Sequence, residues 1–138
     1  ALVRSADQIA ELVGGDLSNK TVGVWGVAFK ANTDDIRDSP ALIVIDLLLK
    51  KGATVQAYDP VAVAPKQTGL VMKGSAEEAA ADADVLAILT EWPEFAEVSP
   101  EKVASAMKSS IVYDARRILP KSWKEHVSVL KVLGEASQ

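Results

Sequence analysis

The stretch Val22-Gly23-Val24-Trp25-Gly26-Val27-Ala28-Phe29-Lys30-Ala31-Asn32-Thr33-Asp34-Asp35-Ile36-Arg37-Asp38-Ser39-Pro40 holds, in order, a strand, a charged loop and a helix start. Its first part is apolar without polar alternation, as expected of a strand covered on both faces, and so of a parallel sheet. Ser39 is a good N-cap, Pro40 sits where proline is best tolerated, and the run Ala41 to Leu49 continues the helix. Free N–H groups at such a helix start, with its positive dipole end, suit a phosphate or diphosphate held between Lys30 and Arg37. The competing reading is a solvated turn in which both cations only balance Asp34, Asp35 and Asp38.

Outward from this stretch, strands and helices alternate. A helix is expected up to Val13, stopped by Gly14-Gly15, with Ser5 and Gln8 either forming a capping box or lying inside a longer helix. Strand one covers about Thr21 to Ala28. The helix from Pro40 to Lys51 is apolar almost throughout and is expected to be deeply buried. Strand two runs from Thr54 to Tyr58 and is closed by Asp59-Pro60. Leu70 to Met72 is a short extra strand, and Ser75 with Glu78 opens a small helix to about Ala81. Val85 to Leu89 is a strand, Ser99-Pro100 opens a helix to about Lys108, and Ile111 to Tyr113 and Val127 to Val132 are the last strands. The tail after Gly134 is expected to be loose.

This alternation requires crossover connections. The expected fold is α/β: a Rossmann-like three-layer sandwich around a mostly parallel, doubly wound sheet of five to six strands. Ligands bind beyond the carboxyl ends of such strands, at the switch in strand order. The loop Phe29 to Arg37 and the turns Thr90 to Pro93 and Asp114 to Arg117 all follow strands. Lys30, Arg37 and Arg116 are therefore expected to meet at one edge.

The 138 residues suit one domain with a real core, and 49% hydrophobic with 25% charged residues is an ordinary globular balance. A net charge of −4 argues against nucleic acid, whose binders show a basic surplus, so any anion site is local. There is no cysteine, hence no disulfide, thiolate metal site or cysteine nucleophile, and the single His126 excludes a multi-histidine metal cluster. His126 is read as a surface or strand-edge residue against the alternative of a general base. No run approaches the roughly 18 apolar residues of a membrane span, and Ala1 to Ser5 lacks the order of a signal peptide, so a cytoplasmic location is expected. The chain opens without methionine and in mid-helix style, as expected of a piece of something longer.

Gly23-x-x-Gly26-x-Ala28 is only a partial dinucleotide fingerprint, lacking the tight G-x-G, and Asp59 lies farther on than the roughly 20 residues of a ribose ligand. Asp59 is read as a turn cap, with the ribose ligand as the alternative. Arg116-Arg117 form a candidate clamp for phosphate or carboxylate, against the reading in which one faces solvent and the other pairs with Asp114. Trp92 and Phe95 are core or lid residues, and Trp25 and Trp123 pack.

The segment Phe29 to Pro40, with Tyr58-Asp59-Pro60, Thr90-Glu91-Trp92 and Tyr113-Asp114-Ala115-Arg116-Arg117, closely resembles the C-terminal, UDP-binding domain of the UDP-glucose/GDP-mannose dehydrogenase family, its UDP-glucose 6-dehydrogenase branch above all. The resemblance covers roughly Thr21 to Leu119. It implies an oxidoreductase that converts the C6 hydroxyl of a nucleotide sugar to a carboxylate in two NAD-dependent steps, through a thiohemiacetal on a cysteine. Phe29, Lys30 and Arg116 then contact UDP-glucose or a related nucleotide sugar, and Arg37 reaches NAD. The cysteine and the N-terminal NAD domain are not among these residues, so the chain is expected to be inactive alone, with no catalytic residue of its own and no metal. The resemblance also implies domain bounds: residues 1–20 end a linker, residues 21–134 bind the nucleotide sugar, and residues 135–138 are a tail. The complete enzyme, serving polysaccharide biosynthesis, is expected to be a homo-oligomer. Dehydrogenases for UDP-N-acetylmannosamine or GDP-mannose, or a stand-alone nucleotide-binding module, are the alternatives, with a partner-docking domain behind them.

Overall fold

A computed structural model describes residue 2 and residues 4–134, so the tail expected at 135–138 lies outside the described residues. Six strands, β1 (Thr21–Trp25), β2 (Thr54–Tyr58), β3 (Leu70–Met72), β4 (Val85–Ile88), β5 (Ile111–Asp114) and β6 (Val129–Val132), form one sheet in the order β3-β2-β1-β4-β5-β6. Every neighbouring pair is parallel, as the crossover argument requires. The order reverses between β1 and β4, which sets the switch point beside the loop after β1.

Each central strand sends alternate residues to two separate cores. Val22, Val24, Val55, Val85, Ala87 and Tyr113 face α1 (Ser5–Leu12) and α2 (Pro40–Lys50). Trp25, Leu86, Ile88 and Val112 face α3 (Ala76–Ala80), α4 (Pro100–Ala106) and two 3-10 helices, Pro93–Glu97 and Lys121–Glu125. Trp25 anchors the second core, its ring 5.2 Å from that of Phe95 at a 35° tilt and edge-on at 5.9 Å to Trp123, with its Nε1–H donating to the Ala76 carbonyl at 2.8 Å. Gly23 shares that face because α3 lies against it: a Cβ there would come within 2.6 Å of the Ala79 carbonyl oxygen.

Three expectations are corrected. First, α2 is not buried all round: Ala41, Val44, Ile45 and Leu48 enter the core, while Ile43, like Asp46 and Lys50, faces out. A helix of 3.6 residues per turn turns only one stripe to a sheet, whatever its composition. Second, Ser5 and Gln8 form no capping box. The N-cap position is Arg4, without a side-chain cap, and both side chains turn instead to the Tyr113 hydroxyl, which donates to Gln8 Oε1 and lies 3.1 Å from Ser5 Oγ. Third, β1 ends at Trp25 and β6 begins at Val129, each shorter than the apolar run that contains it. Gly26 takes a φ of +101° and turns the chain out of the sheet, while Val127, though buried, belongs to the approach to β6. Ser39, Ser75 and Ser99 cap α2, α3 and α4 through their hydroxyls, accepting from Leu42, Glu78 and Lys102 amides.

Candidate functional site at the switch in strand order

Register aligns the three loops that carry the predicted cations. Trp25 lies opposite Ile88, and Ile88 opposite Asp114, so the loops after β1, β4 and β5 leave the sheet side by side, one strand spacing of about 4.8 Å apart each.

The loop after β1 is anchored by an acid and a hydroxyl. Asp59, buried at the end of β2, accepts at Oδ2 from the Val27 amide (2.8 Å), the Ala28 amide (3.0 Å) and Trp92 Nε1 (3.1 Å). Its Oδ1 accepts from the Val61 and Ala62 amides at 3.0 and 2.8 Å. The turn-cap reading holds, and the ribose-ligand alternative falls because both oxygens are committed internally. Trp92 is thereby a pinned, buried residue and Phe95 a core residue. Thr90 Oγ1 donates to the Ala28 carbonyl at 2.9 Å, and its side chain fills the space where a Gly26 Cβ would stand, 2.3 Å from Thr90 Cβ. The place that a dinucleotide fingerprint keeps open for pyrophosphate is closed here. At the start of α2, Ser39 Oγ donates to the Val27 carbonyl and accepts from the Leu42 amide, tying the helix to the loop after β1.

Beyond Ala28 the loop stands out from the sheet. The Phe29 amide donates to the Asp35 carbonyl at 2.7 Å and closes the loop on itself, leaving the Phe29 ring and Lys30 exposed. Among the described residues Lys30 makes no ion pair. Arg37 grips Asp35 with two hydrogen bonds, Nε to Oδ1 at 3.1 Å and Nη2 to Oδ2 at 3.0 Å, yet its side chain is 87% exposed. This hydrogen bonding from Arg37 holds the Asp35 carboxyl below its usual range. Phe29, Asp35, Arg37 and Asp38 line a shallow cleft of about 290 Å³. Thus the balanced-turn reading describes Arg37 as it stands, while Lys30 is uncommitted.

After β5, Asp114 accepts four backbone amides, those of Arg116 and Arg117 at Oδ1 and of Ile118 and Leu119 at Oδ2. Neither arginine side chain pairs with it, contrary to the alternative weighed above. The two arginines diverge, because Arg117 takes a left-handed φ of +60°. Arg116 turns to Glu91 and hydrogen-bonds it through Nη2. Arg117 instead lines a separate cavity of about 220 Å³ with Lys121, Lys124 and the apolar Leu119, Leu130 and Val132. A clamp of both arginines on one anion is therefore not formed.

Glu91, just beyond the switch-point strand, is a residue of this edge to which the sequence alone assigns no role. Burial pushes its carboxyl up, but its own amide, the Arg116 guanidinium and the Ala31 amide together outweigh burial and set it below the ordinary value. Its Oε1 is buried without a strict hydrogen-bond partner. The signal in the sequence was a lone acid placed after an all-apolar strand, β4, at the sheet's switch. His126 lies away from this edge, on the surface 3.9 Å from Glu101, as read. No group of metal-ligating side chains occurs among the described residues, and none of their helices is long and apolar enough to cross a membrane.

Comparison with known proteins gives one answer. The sequence pattern of the UDP-glucose/GDP-mannose dehydrogenase family, UDP binding domain, matches residues 23–121. A UDP-glucose 6-dehydrogenase of Rickettsia conorii is 38% identical over 118 residues, 82% of this chain and 27% of that protein. The structure of a UDP-glucose dehydrogenase from the archaeon Pyrobaculum islandicum superposes with a TM-score of 0.77 at 29% identity, over 94% of this chain and 29% of that one. A UDP-N-acetyl-mannosamine dehydrogenase from Staphylococcus aureus superposes with a TM-score of 0.77 at 26% identity, over 94% of this chain and 30% of that one. The chain thus spans little more than a quarter of the length of the relatives it matches.

Proposed function

Because this chain belongs to the UDP-glucose/GDP-mannose dehydrogenase family, as a UDP binding domain, we propose that it supplies the nucleotide-sugar half of the active site of an NAD-dependent UDP-glucose 6-dehydrogenase. The overall reaction takes UDP-glucose, two NAD and water to UDP-glucuronate and two NADH. The observation that carries this reading is that uncommitted Lys30 and half-buried Arg116 stand on loops leaving β1 and β5, the two strands that flank β4 in register at the switch point. Lys30 and Arg116 hold the diphosphate and its sugar-proximal end, and the exposed Phe29 ring packs on the ligand's apolar surface. These contacts orient the substrate; the reacting C6 and the groups that act on it belong to the portion of the protein beyond this chain.

NAD, when bound, accepts the hydride removed from C6. This chain fits it at one place only. The Val27 and Ala28 amides are taken by Asp59 and the Gly26 position is filled by Thr90, so the pyrophosphate turn of a dinucleotide domain is not available. Arg37, exposed on the outer wall of the Phe29 cleft, fits a single charge contact from a neighbouring domain. Residues 1–20 are then the end of a connecting segment, 21–134 the binding domain and 135–138 a tail. The complete enzyme is a cytoplasmic homo-oligomer assembled mainly through its other parts, acting in polysaccharide biosynthesis.

An NMR titration of this chain with UDP, UDP-glucose and NAD tests the reading. UDP should shift the amides of residues 29–37 and 115–117 with millimolar affinity, since half of the contacts are missing and the cost of association is not. Lys30→Ala and Arg116→Ala should each weaken UDP binding with the fold intact, and Arg37→Ala should leave it unchanged. Shifts confined to other surfaces, or tight NAD binding centred on Val27 and Ala28, would overturn it. The UDP-N-acetylmannosamine alternative predicts the same map, and is separated by the kinetics of the complete enzyme on the two sugars.

A further inference from the structure

We propose that Glu91 is a positioning residue for nucleotide-sugar binding: it ties the Lys30–Ala31 loop to Arg116 and holds the guanidinium ready for phosphate. The inference rests on the reading that Arg116 takes the ligand's phosphate. Glu91 stands at the switch point, between the loop after β1 and the turn after β5. Its Oε2 accepts from Arg116 Nη2, the Ala31 amide contributes to holding its carboxyl below the ordinary value, and its Oε1 is buried without a hydrogen-bond partner. The pair bridges segments 25 residues apart in sequence, with side chains 36% and 28% exposed for Glu91 and Arg116.

Two physical arguments make this a device for binding rather than a surface ion pair. A free arginine side chain carries about 2 kcal/mol of rotamer entropy, and holding it against Glu91 removes that entropy before the ligand arrives. The contact occupies one nitrogen of a five-donor fork, so the remaining N–H groups stay available to an oxyanion. The carboxylate also sits where it opposes a phosphate electrostatically, so a residue with no positioning role would make binding tighter when neutralised.

The sign of the Glu91→Gln effect is thus diagnostic. Losing the order of one long side chain is worth about 0.5–1.5 kcal/mol, which converts to a two- to tenfold weaker UDP dissociation constant. The weakening should vanish in an Arg116→Ala background, because Glu91 acts through that side chain. A ligand-free readout stands beside it: ¹⁵N relaxation of the Arg116 Nε–H should show an ordered side chain in the wild type and a mobile one in Glu91→Gln, while backbone amide shifts away from residues 29–37, 89–93 and 114–119 stay unchanged. Equal Arg116 mobility in both proteins overturns the proposal, as does tighter UDP binding by Glu91→Gln or an equal loss with and without Arg116. If Arg116→Ala leaves UDP affinity untouched, the functional reading itself falls and takes this inference with it; if Arg116→Ala weakens binding and Glu91→Gln does not, the inference alone falls.

Discussion

Replacing Asp59 by asparagine should cost this fold a large share of its stability, and the amount follows from counting donors. One carboxylate accepts five N–H groups: Val27, Ala28 and Trp92 Nε1 at Oδ2, Val61 and Ala62 at Oδ1. Asparagine keeps the shape but turns one acceptor oxygen into a donor NH₂. Whichever way the amide lies, at least two N–H groups then face a donor. At about 1–3 kcal/mol for each unsatisfied group, the loss is about 4 kcal/mol. The surviving bonds also change from charge-assisted to neutral, which lowers them further. Against a typical domain stability of about 5–15 kcal/mol this is severe, and at roughly 4 °C per kcal/mol it should lower Tm by about 15 °C. Urea unfolding followed by tryptophan fluorescence measures it directly, and Trp92 reports on the site. Faster amide exchange at Val61 and Ala62, or at Val27 and Ala28, tells which side the NH₂ group took. A loss below about 1 kcal/mol, with those amides still protected, would refute the role of Asp59 as the knot between the loops after β1, β2 and β4.

Three further outcomes test the fold and its charges. Gly26→Ala combines a φ of +101° with a Cβ 2.3 Å from Thr90 Cβ and should destabilise by about 3 kcal/mol or more, whereas Gly14→Ala, at φ +95° with open space around it, should cost only about 1 kcal/mol in the same urea assay. Tyr113→Phe removes the hydroxyl shared by Ser5 and Gln8 and should cost about 1–2 kcal/mol; because burial raises the Tyr113 pKa above the ordinary 10.0, its stabilisation is full below that value and lost as pH rises through the folded one, so the variant should lack this alkaline component. Glu91 has its pKa lowered from the ordinary 4.5, so its contribution is full above that value and lost as pH falls through the folded one; NMR titration of its side-chain carboxyl carbon should show a midpoint below 4.5, and Arg116→Ala should move it upward.

Local chemistry made much of the fold legible. Ser39-Pro40, Ser75 and Ser99-Pro100 announce helix starts because a cap is a contact between residues three apart in sequence. The strands β1 and β4 are apolar runs bounded by turn residues, and the alternation of strands with helices leaves little choice but a parallel sheet. What depended on segments distant in sequence was not legible. Ser5 and Gln8 read as a local cap, yet their partner is Tyr113, 108 and 105 residues away. The partner of Arg116 is 25 residues back, across a crossover, and its neighbour Arg117 leaves the site because of one backbone angle.

The two strand-end aspartates show why acids that lie near cations in the sequence need not pair with them. Beyond the carboxyl end of a parallel strand, the next backbone amides have left the ladder and need acceptors. Asp59 directly follows β2 and Asp114 is the last residue of β5, and each aspartate spends both oxygens on N–H groups, five for Asp59 and four for Asp114. Their charge is thereby satisfied by dipoles rather than by lysine or arginine. Lys30 and Arg116 consequently do not pair with these two aspartates, although the acids lie at the same edge of the sheet. The self-neutralised turn, one of the two readings of the charged loop, describes Arg37 with Asp35, and the buried aspartates take no part in it.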